Sequence, residues 1–327
     1  MRTKIIFRAD ANASIGYGHF TRTLALADML KDDFDCVFVT QSPTEYQKSE
    51  VAKVCALIEV PATVAKFDLF LELLQGDEIV VLDNYFYDTE YQRKIKVKGC
   101  RLVCIDDRKG QRYYADVVIN HVIGTQAEDI ITLSPSKLLL GSDYALLRKD
   151  FITVMQHPSV YNPKNNQVLV AMGGTDYFNM TGKIARMLSE GTKYDINLLI
   201  GDSYKFEKDL SIAGNIYKNL SAKQLSNLIR EQKFVVCPPS TLAYEVCAVR
   251  CPLIVGSFAE NHVDVEKSFE QYHLATSCGE LENLEKETFY DLIDQTLQSA
   301  TQQIDNQSEA FDGRQSERFQ SCFQELI

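Results

Sequence analysis

Hydrophobic residues in the first half of the chain form short, nearly continuous runs, separated by longer stretches with helical spacing. A nearly continuous apolar run is typical of a strand that is buried on both faces of a sheet. The pattern predicts strands at Lys4–Arg8, Phe34–Thr40, Glu78–Asp83 and Arg101–Ile105. It predicts helices between them at His19–Lys31, Thr44–Cys55, Ala65–Leu74 and Thr89–Lys98. This alternation indicates an α/β domain with a parallel, doubly wound sheet.

Prolines and asparagines interrupt this pattern at residues 157–166, a composition typical of a loop. We therefore predict an N-terminal Rossmann-like domain at residues 1–157 and a C-terminal Rossmann-like domain at residues 166–327. In the second domain the pattern predicts strands at Gln167–Met172, Asp195–Ile200, Phe234–Cys237 and Leu253–Val255. It predicts helices there at Asn179–Ser189, Ala222–Glu231, Thr241–Val249 and Val263–His273. The tail from Glu282 is polar and helical, and its last helix (about 305–327) could cross back to the first domain.

Two such domains are expected to face each other across a cleft. Ligands of open parallel sheets bind beyond the carboxyl ends of the strands. The loops that follow the strands are therefore where we expect the chemistry.

Length, charge and cysteine content narrow the class of protein. The 327 residues carry 34 Lys and Arg against 45 Asp and Glu, a net charge of −11. This argues against a nucleic-acid partner and against wide contact with an anionic membrane, which both need basic surfaces. The 9 cysteines are scattered without a C-x-x-C pair, which is typical of free thiols in a reducing compartment. No apolar run reaches the ~18 residues of a membrane span. The N-terminal segment Met1–Arg8 lacks the apolar core of a signal peptide. We expect a soluble, cytoplasmic protein, either a monomer or a weak oligomer.

The loop after the first predicted strand contains Gly16-Tyr-Gly18-His19. Both glycines permit a close approach of the backbone to a ligand. His19 begins a helix, whose N-terminus disfavours an imidazolium, so a neutral ring could act as a general base. The alternative interpretation is a tight turn followed by a polar residue. The third glycine of a dinucleotide fingerprint is missing and Phe34–Thr40 does not end in an acidic residue, so we expect no NAD and no other cofactor.

In the second domain, Gly173, Gly174 and Thr175 stand between a predicted strand and a helix. Exposed backbone N–H groups in such a loop can bind phosphate, although the loop is not a Walker A motif. A plain turn between strand and helix is the alternative.

A later loop, Pro238-Pro-Ser240-Thr241-Leu242, opens a helix that contains Glu245. Ser240 is a natural helix cap, and Glu245 could accept hydrogen bonds from a ribose diol or simply stabilise the helix N-terminus. Asn261 lies in the loop after the next strand, where it could touch a sugar or a phosphate or could be solvated.

Three ordered motifs together resemble one family. They are Gly16-x-Gly-His-x-x-Arg22, Met172-Gly-Gly-Thr-Asp176 and Ser240-Thr-Leu-x-x-Glu245. The family is the UDP-2,4-diacetamido-2,4,6-trideoxy-β-L-altropyranose hydrolase of pseudaminic acid biosynthesis. It is itself similar to the UDP-N-acetylglucosamine transferase of peptidoglycan synthesis, which has a GT-B fold. The resemblance covers nearly the whole chain. Further similar segments, in the same order as in the family, are Phe7–Asp10, Val81–Tyr85, Asp106-Asp107, Ala115–Asn120 and Tyr144–Arg148.

The resemblance implies a role for each matching residue. His19 would activate water against the anomeric carbon, with Tyr85 near that water and Asp10 as a further catalytic residue. The N-terminal domain would hold the base and the sugar, and the C-terminal domain would bind UDP. The implied substrate-binding residues are Gly16, Gly18, Arg22, Gly173, Gly174, Thr175, Ser240, Thr241, Leu242, Glu245 and Asn261. Asn84 replaces a histidine that is common in the family, and His262 stands where glutamine is frequent, which puts the sugar specificity in doubt.

The chemistry agrees with a hydrolase that releases UDP. UDP is a good leaving group, so one positioned base is sufficient and a single displacement with inversion is expected. No cluster of His, Asp or Glu has metal-ligand spacing, so we expect no bound metal, although a loosely held Mg²⁺ on the diphosphate is compatible with the sequence. Two alternatives stay open: a GT-B glycosyltransferase with a UDP-sugar donor, and a nucleotide-sugar binding protein without turnover.

Overall fold

The computed structural model describes residues 2–12, 16–158, 160–162, 164–174, 176–201, 204–206, 210, 212 and 214–327. The chain divides into two compact units. The first consists of Met1–Lys149 together with Arg314–Ile327, and the second is Asp150–Gly313. The division at residues 149 and 150 precedes the loop at 157–166 where the sequence pattern places the boundary.

The first unit is built on a parallel sheet. Its strands in chain order are β1 (Lys4–Ala9), β2 (Asp35–Gln41), β3 (Ala56–Val60), β4 (Ile79–Asp83), β5 (Arg101–Ile105), β6 (Arg112–Tyr113), β7 (Val117–Asn120), β8 (Ile131–Thr132) and β9 (Lys137–Leu140). Seven of them form one sheet in the order β3-β2-β1-β4-β5-β7-β9, with all pairs parallel. The two short strands β6 and β8 pair with each other. The strand order reverses between β1 and β4, and such a switch point opens a crevice at the carboxyl ends of the strands.

The second unit contains a six-stranded parallel sheet. Its strands are β10 (Gln167–Val170), β11 (Asp195–Leu199), β12 (Asn215–Tyr217), β13 (Gln232–Cys237), β14 (Leu253–Ser257) and β15 (Thr276–Glu280). They are arranged in the order β12-β11-β10-β13-β14-β15. The switch point here lies between β10 and β13.

Helices pack on both sheets. They are α1 (Gly18–Leu30), α2 (Glu45–Ala52), α3 (Ala65–Leu73), α4 (Thr89–Val97), α5 (Lys149–Gln156), α6 (Met180–Gly191), α7 (Ala222–Arg230), α8 (Thr241–Val249), α9 (Val263–Gln271), α10 (Lys286–Gln298), α11 (Ala300–Ala310) and α12 (Gln315–Gln324). The last helix, α12, belongs to the first unit and packs against α1, where Gln320 Nε2 donates to the carbonyl of Met29 at 3.1 Å. Phe323 of α12 meets Phe34 edge to face.

Burial explains which strands the sequence pattern identifies. The eight predicted strands correspond to β1, β2, β4, β5, β10, β11, β13 and β14, whose side chains are mostly buried. The pattern misses the outer strands β3, β12 and β15, which are partly exposed and carry polar residues. It also misses the short strands β6 to β9, although the four residues of β7 are all buried. The side chains of these outer strands are less completely covered than those of central strands, so their sequences lack a continuous apolar run.

Helix length and hydropathy also bear on membrane contact. Among the described residues, no helix combines the length and the apolar character that crossing a membrane requires.

Candidate functional site

His19 and Asp83 meet at the switch point of the first sheet. His19 lies in the first turn of α1, which follows β1, and Asp83 is the last residue of the neighbouring strand β4. The Nδ1 atom of His19 lies 2.6 Å from Oδ1 of Asp83. Asp83 is completely buried, and His19 is 8% exposed.

Arg22, one turn further along α1, holds the same carboxylate. Its Nε donates to Oδ2 of Asp83 and its Nη2 to Oδ1, each at 2.7 Å. The hydroxyl of Thr23 donates to Oδ2 at 2.8 Å. Burial alone would raise the pKa of Asp83, but the positive charge of Arg22 and the hydrogen bonds of Arg22 and His19 lower it well below its usual range. Asp83 is therefore an ionised acceptor.

This ionisation decides the tautomer of His19. An ionised carboxylate has no proton to donate, so the 2.6 Å contact requires that Nδ1 carries the proton. Arg22 Nη2 lies 3.1 Å from the same nitrogen and finds its acceptor in Asp83. Among the described residues no hydrogen bond engages Nε2, which in this tautomer carries a lone pair. The pair thus has the arrangement of an imidazole base with a carboxylate that orients it.

Tyr85 joins the network from the loop after β4. Its hydroxyl donates to Oδ1 of Asp107 at 2.6 Å, and its ring meets the His19 ring edge to face with centroids 4.6 Å apart. The guanidinium of Arg108 lies over the same ring, 4.2 Å from its centroid. Burial and the charge of Asp107 raise the pKa of Tyr85, so its hydroxyl is a donor near neutral pH.

Arg22 connects the two carboxylates, because its Nη1 donates to Oδ2 of Asp107 at 2.6 Å. Burial opposes ionisation of Asp107, but the charge of Arg22 and the hydrogen bond from Tyr85 lower its pKa to about 2. The guanidinium of Arg22 is thus bound to two carboxylates, and the residue is only 4% exposed.

Asp10 belongs to a neighbouring network. It follows β1 and pairs with Arg8 and, at 2.8 Å, with Lys66 Nζ, and it accepts from the backbone N–H of Gln41. Asn84 links it to the loop after β4: its Oδ1 accepts from Asp10 N at 2.7 Å, and its Nδ2 donates to Asp10 O at 3.1 Å. Asn84 thus bridges the ends of β1 and β4.

The sequence interpretation assigned no chemical role to Asp83, Asp107, Arg108 or His121. His121 follows β7 and is buried, and burial together with the charge of Arg22 lowers its pKa to about 4. The sequence did contain an indication of these residues, because polar residues directly follow the strands β4, β5 and β7. Recognising it required the knowledge that these strands are neighbours in the sheet.

Gly16 and Gly18 flank the turn into α1. Gly16 has a φ of 82°, a conformation that favours glycine, and its N–H donates to the carbonyl of Asn12 at 2.9 Å. Gly18 is the first residue of α1. The structure therefore brings His19, Arg22 and Tyr85 into one hydrogen-bonded and ring-contact network, with the two glycines at the start of the same helix.

In the second unit, the Gly173-Gly174 loop follows β10 and is exposed; Thr175 lies outside the described residues. The helix α6 begins later than predicted, at Met180. Asp176 accepts from the N–H groups of Met180 and Thr181, each at 2.8 Å. The first turn of α6 is therefore already capped by the chain's own carboxylate.

Gly201, after β11, packs directly on this loop. A Cβ at Gly201 would lie 2.1 Å from the carbonyl oxygen of Gly174. Only a glycine leaves room for this approach, which the sequence interpretation missed.

The N-terminus of α8 differs from that of α6. Ser240 is its N-cap residue, but the Ser240 side chain makes no capping hydrogen bond to the described residues of the helix. Ser240, Thr241 and Leu242 are partly exposed, whereas Glu245, one turn in, is 2% exposed. An uncapped helix start with accessible N–H groups is suited to an anion.

Asn261 is exposed in a 3₁₀ turn, Glu260–His262, after β14. Within the described part of the chain, no three or more His, Cys, Asp or Glu side chains are grouped in a way that could hold a metal ion.

Two curated proteins are similar to this chain. A UDP-2,4-diacetamido-2,4,6-trideoxy-β-L-altropyranose hydrolase of Campylobacter jejuni is 25% identical over 271 residues, which cover 79% of this chain and 93% of that protein. An uncharacterized protein of Methanocaldococcus jannaschii, MJ1062, is 23% identical over 273 residues, which cover 77% of this chain. The alignment spans only 55% of the archaeal protein. No protein-family model matches the chain.

Solved structures show the fold. MurG of Acinetobacter baumannii matches with a TM-score of 0.68 and 12% identity, covering 99% of both chains. The calicheamicin glycosyltransferase CalG4 matches with a TM-score of 0.65 and 12% identity, covering 100% of this chain and 98% of that one. The prediction of the fold class is confirmed: the chain has a GT-B fold with two Rossmann-like units, and its sequence is similar to that of the Campylobacter hydrolase.

Proposed function

We propose that this chain is a hydrolase that releases UDP and a free sugar from a UDP-linked 2,4-diacetamido-2,4,6-trideoxy hexose, as in pseudaminic acid biosynthesis. The observation that carries the proposal is the His19–Asp83 pair, in which the carboxylate holds the proton on Nδ1 and leaves Nε2 as a base. The similarity to the Campylobacter hydrolase supports the choice of substrate.

The base acts on water. Nε2 of His19 accepts a proton from a water molecule as its oxygen attacks the anomeric carbon. The bond between that carbon and the phosphate oxygen breaks, and the electron pair leaves with UDP. Asp83 stabilises the imidazolium that forms, as an orienting carboxylate does. One displacement with one base inverts the anomeric configuration.

Arg22 and Tyr85 have different parts in this reaction. The guanidinium of Arg22 is engaged with Asp83 and Asp107, so we assign it a positioning role in place of the substrate contact that the sequence suggested. Tyr85 packs on the His19 ring and limits the space in which the water can lie. Asp10 is paired with Arg8 and Lys66, and its proposed part is to support the β1 and β4 ends through Asn84.

The second unit is the proposed site for UDP. The uncapped start of α8 offers the N–H groups of Thr241 and Leu242 to the diphosphate, and the helix dipole stabilises its charge. Gly173 and Gly174 supply further exposed backbone, with Thr175 beside them in sequence. Glu245 is proposed to accept from the ribose hydroxyls, and Asn261 to contact the phosphates or the sugar. With this arrangement the departing UDP is stabilised by local N–H groups, which suits a chain whose net charge is −11.

The test is release of UDP without an acceptor. The purified chain is incubated with the UDP-linked diacetamido sugar, and UDP is measured over time. We expect release by the wild-type protein and a decrease of at least ~10²-fold for His19→Ala. No release by a folded wild-type protein would overturn the proposal.

A GT-B glycosyltransferase is the second candidate, and the fold similarity to the calicheamicin glycosyltransferase favours it. In that case a hydroxyl of an acceptor replaces the water at Nε2. UDP release only after an acceptor is added would support the transferase, and binding without turnover under both conditions would support a nucleotide-sugar binding protein.

A further inference from the structure

A partly buried cation with a spare hydrogen-bond donor belongs to the Asp10 network. Lys66, at the start of α3, is 12% exposed at its side chain. Its Nζ donates to Oδ2 of Asp10 at 2.8 Å and to Oε1 of Gln41 at 2.9 Å. An ammonium has three N–H donors, so among the described residues these two acceptors leave one donor unused.

An aromatic surface adjoins this ammonium. Lys66 Nζ lies 4.4 Å from the centroid of the Phe86 ring and 5.2 Å from that of Phe67. Phe86 is 37% exposed, and the ring of Phe67 supports it edge to face at 5.7 Å. A shielded N–H donor therefore stands directly beside an accessible apolar ring.

The local charge is not balanced. Asp10 is the carboxylate that both Arg8 and Lys66 bind, so this group of three carries one excess positive charge. Tyr87, whose pKa is raised chiefly by burial, stays neutral. A ligand that supplies an acceptor oxygen would complete the group without adding a buried unpaired charge.

This group is connected to the proposed reaction centre through the β4 loop. Asn84 hydrogen-bonds to the backbone of Asp10, and the next two residues point to opposite networks: Tyr85 to His19 and Asp107, Phe86 to Lys66 and Phe67. Both networks lie at the carboxyl edge of the same sheet. A sugar whose anomeric carbon is near His19 could therefore reach Phe86 with a ring substituent.

We infer that Lys66 and Phe86 form a subsite for an N-acetyl group of the sugar. This inference rests on the proposed function and specifies how its substrate is recognised. An N-acetyl group places a carbonyl oxygen next to a methyl group. The carbonyl oxygen accepts a hydrogen bond from the third N–H of Lys66, and the methyl group packs on the ring of Phe86.

The experiment compares three ligands and three variants. The ligands are the UDP-linked 2,4-diacetamido sugar and the two counterparts in which one acetamide is replaced by an amine. The variants are Phe86→Ala, Lys66→Met and the conservative Lys66→Arg. Dissociation constants are measured in the His19→Ala background, which slows turnover. KM and kcat for UDP release are measured with His19 present.

We expect Phe86→Ala and Lys66→Met each to weaken binding of the diacetamido sugar about tenfold and to raise its KM similarly, with kcat changed much less. One of the two amine counterparts lacks the acetamide that occupies this subsite, and we expect neither variant to weaken the binding of that counterpart. Lys66→Arg should retain most of the affinity for the diacetamido sugar. The dissociation constant of UDP alone should not change in any variant. Phe86 is partly exposed, so Phe86→Ala remains informative even if Lys66→Met fails to fold.

Equal weakening of all three sugars, or none, by Phe86→Ala would overturn the subsite. Failure of the proposed function is a separate outcome: a wild-type protein that releases no UDP contradicts the hydrolase, while the dissociation constants in the His19→Ala background still decide the subsite.

Discussion

Asp83 and His19 are 64 residues apart in the sequence, yet Oδ1 of Asp83 lies 2.6 Å from Nδ1 of His19. They meet because β1 and β4 are neighbours, with Ala9 opposite Asp83 in the register. Arg22 binds both oxygens of the carboxylate and keeps it ionised. The orientation of the imidazole therefore depends on a carboxylate that is completely buried.

The first prediction concerns Asp83→Asn. An asparagine amide can donate to Nδ1 and so favours the tautomer with the proton on Nε2, which removes the base. We expect kcat for UDP release to fall by about 10² or more, while the dissociation constant for UDP stays within about twofold.

Asp32→Asn, a change of the same kind at an exposed position after α1, is the matched control and should keep full activity. Turnover by Asp83→Asn at more than half the wild-type rate would contradict the assigned pair.

The second prediction concerns the open start of α8. Ser240→Asp places a carboxylate where the diphosphate is proposed to bind, so it both occupies the N–H groups and repels the ligand. We expect the dissociation constant for UDP, measured by calorimetry, to rise about tenfold or more, with an unchanged or higher melting temperature.

Ser221→Asp provides the comparison, because Ser221 already caps α7 by accepting from Gln224 N at 3.2 Å. That variant should bind UDP like the wild-type protein. Equal UDP affinity of the two aspartate variants would exclude α8 as the phosphate site.

The third prediction concerns the contact between Gly201 and Gly174. The Cβ of Gly201→Ala would lie 2.1 Å from the Gly174 carbonyl oxygen and 2.6 Å from its Cα, so backbone must move. We expect a loss of about 1–3 kcal/mol in the free energy of unfolding and weaker UDP binding, since the Gly173–Gly174 loop is displaced.

At Gly214 the Cβ of an alanine would lie 3.5 Å from the carbonyl oxygen of Ile196, an ordinary contact and the one that the described residues make there. Gly214→Ala should therefore leave both quantities nearly unchanged. If Gly201→Ala behaves in the same way, the loop does not need this close approach.

The fourth prediction concerns the pH dependence of stability. Burial and the charge of Arg22 lower the pKa of His121 to about 4, whereas an unfolded chain has the ordinary value of about 6.5. Between these values the unfolded chain binds a proton that the folded chain does not, so this contribution to stability is lost as the pH falls. His121→Gln removes it.

Urea unfolding at pH 7 and pH 5 measures the difference. We expect the wild-type protein to lose about 2 kcal/mol more than His121→Gln over this interval. Parallel losses in the two proteins would show that His121 does not remain neutral in the fold.

The strands that the sequence predicts are mostly buried, although the pattern misses the short strand β7, which is also buried. β1 and β4 read as apolar runs because helices cover both sides of the sheet there. The side chains of the edge strand β3 are mostly partly or fully exposed, so its sequence contains no continuous apolar run. Local hydrophobicity thus indicates the centre of each sheet better than its edges.

The anion sites show a different limit. The Gly173-Gly174 motif suggests a helix start that is free to bind phosphate, and the Ser240 motif suggests a capped one. In the structure Asp176 accepts from the N–H groups of Met180 and Thr181 in α6, while the Ser240 side chain forms no capping hydrogen bond with the described residues of α8. Which N–H groups remain accessible depends on the direction of each side chain, and residue spacing does not specify that direction.

The sequence by itself determined the α/β alternation, the two Rossmann-like units and the position of His19 at the start of a helix, because each depends on interactions among residues close in the chain. The tertiary structure alone decided that Asp83 orients His19, that Arg22 holds two carboxylates and that Phe86 lies beside Lys66. Strand order brings these residues together. A buried imidazole or carboxylate takes its chemistry from the charges within a few ångströms of it, and those come from distant parts of the chain.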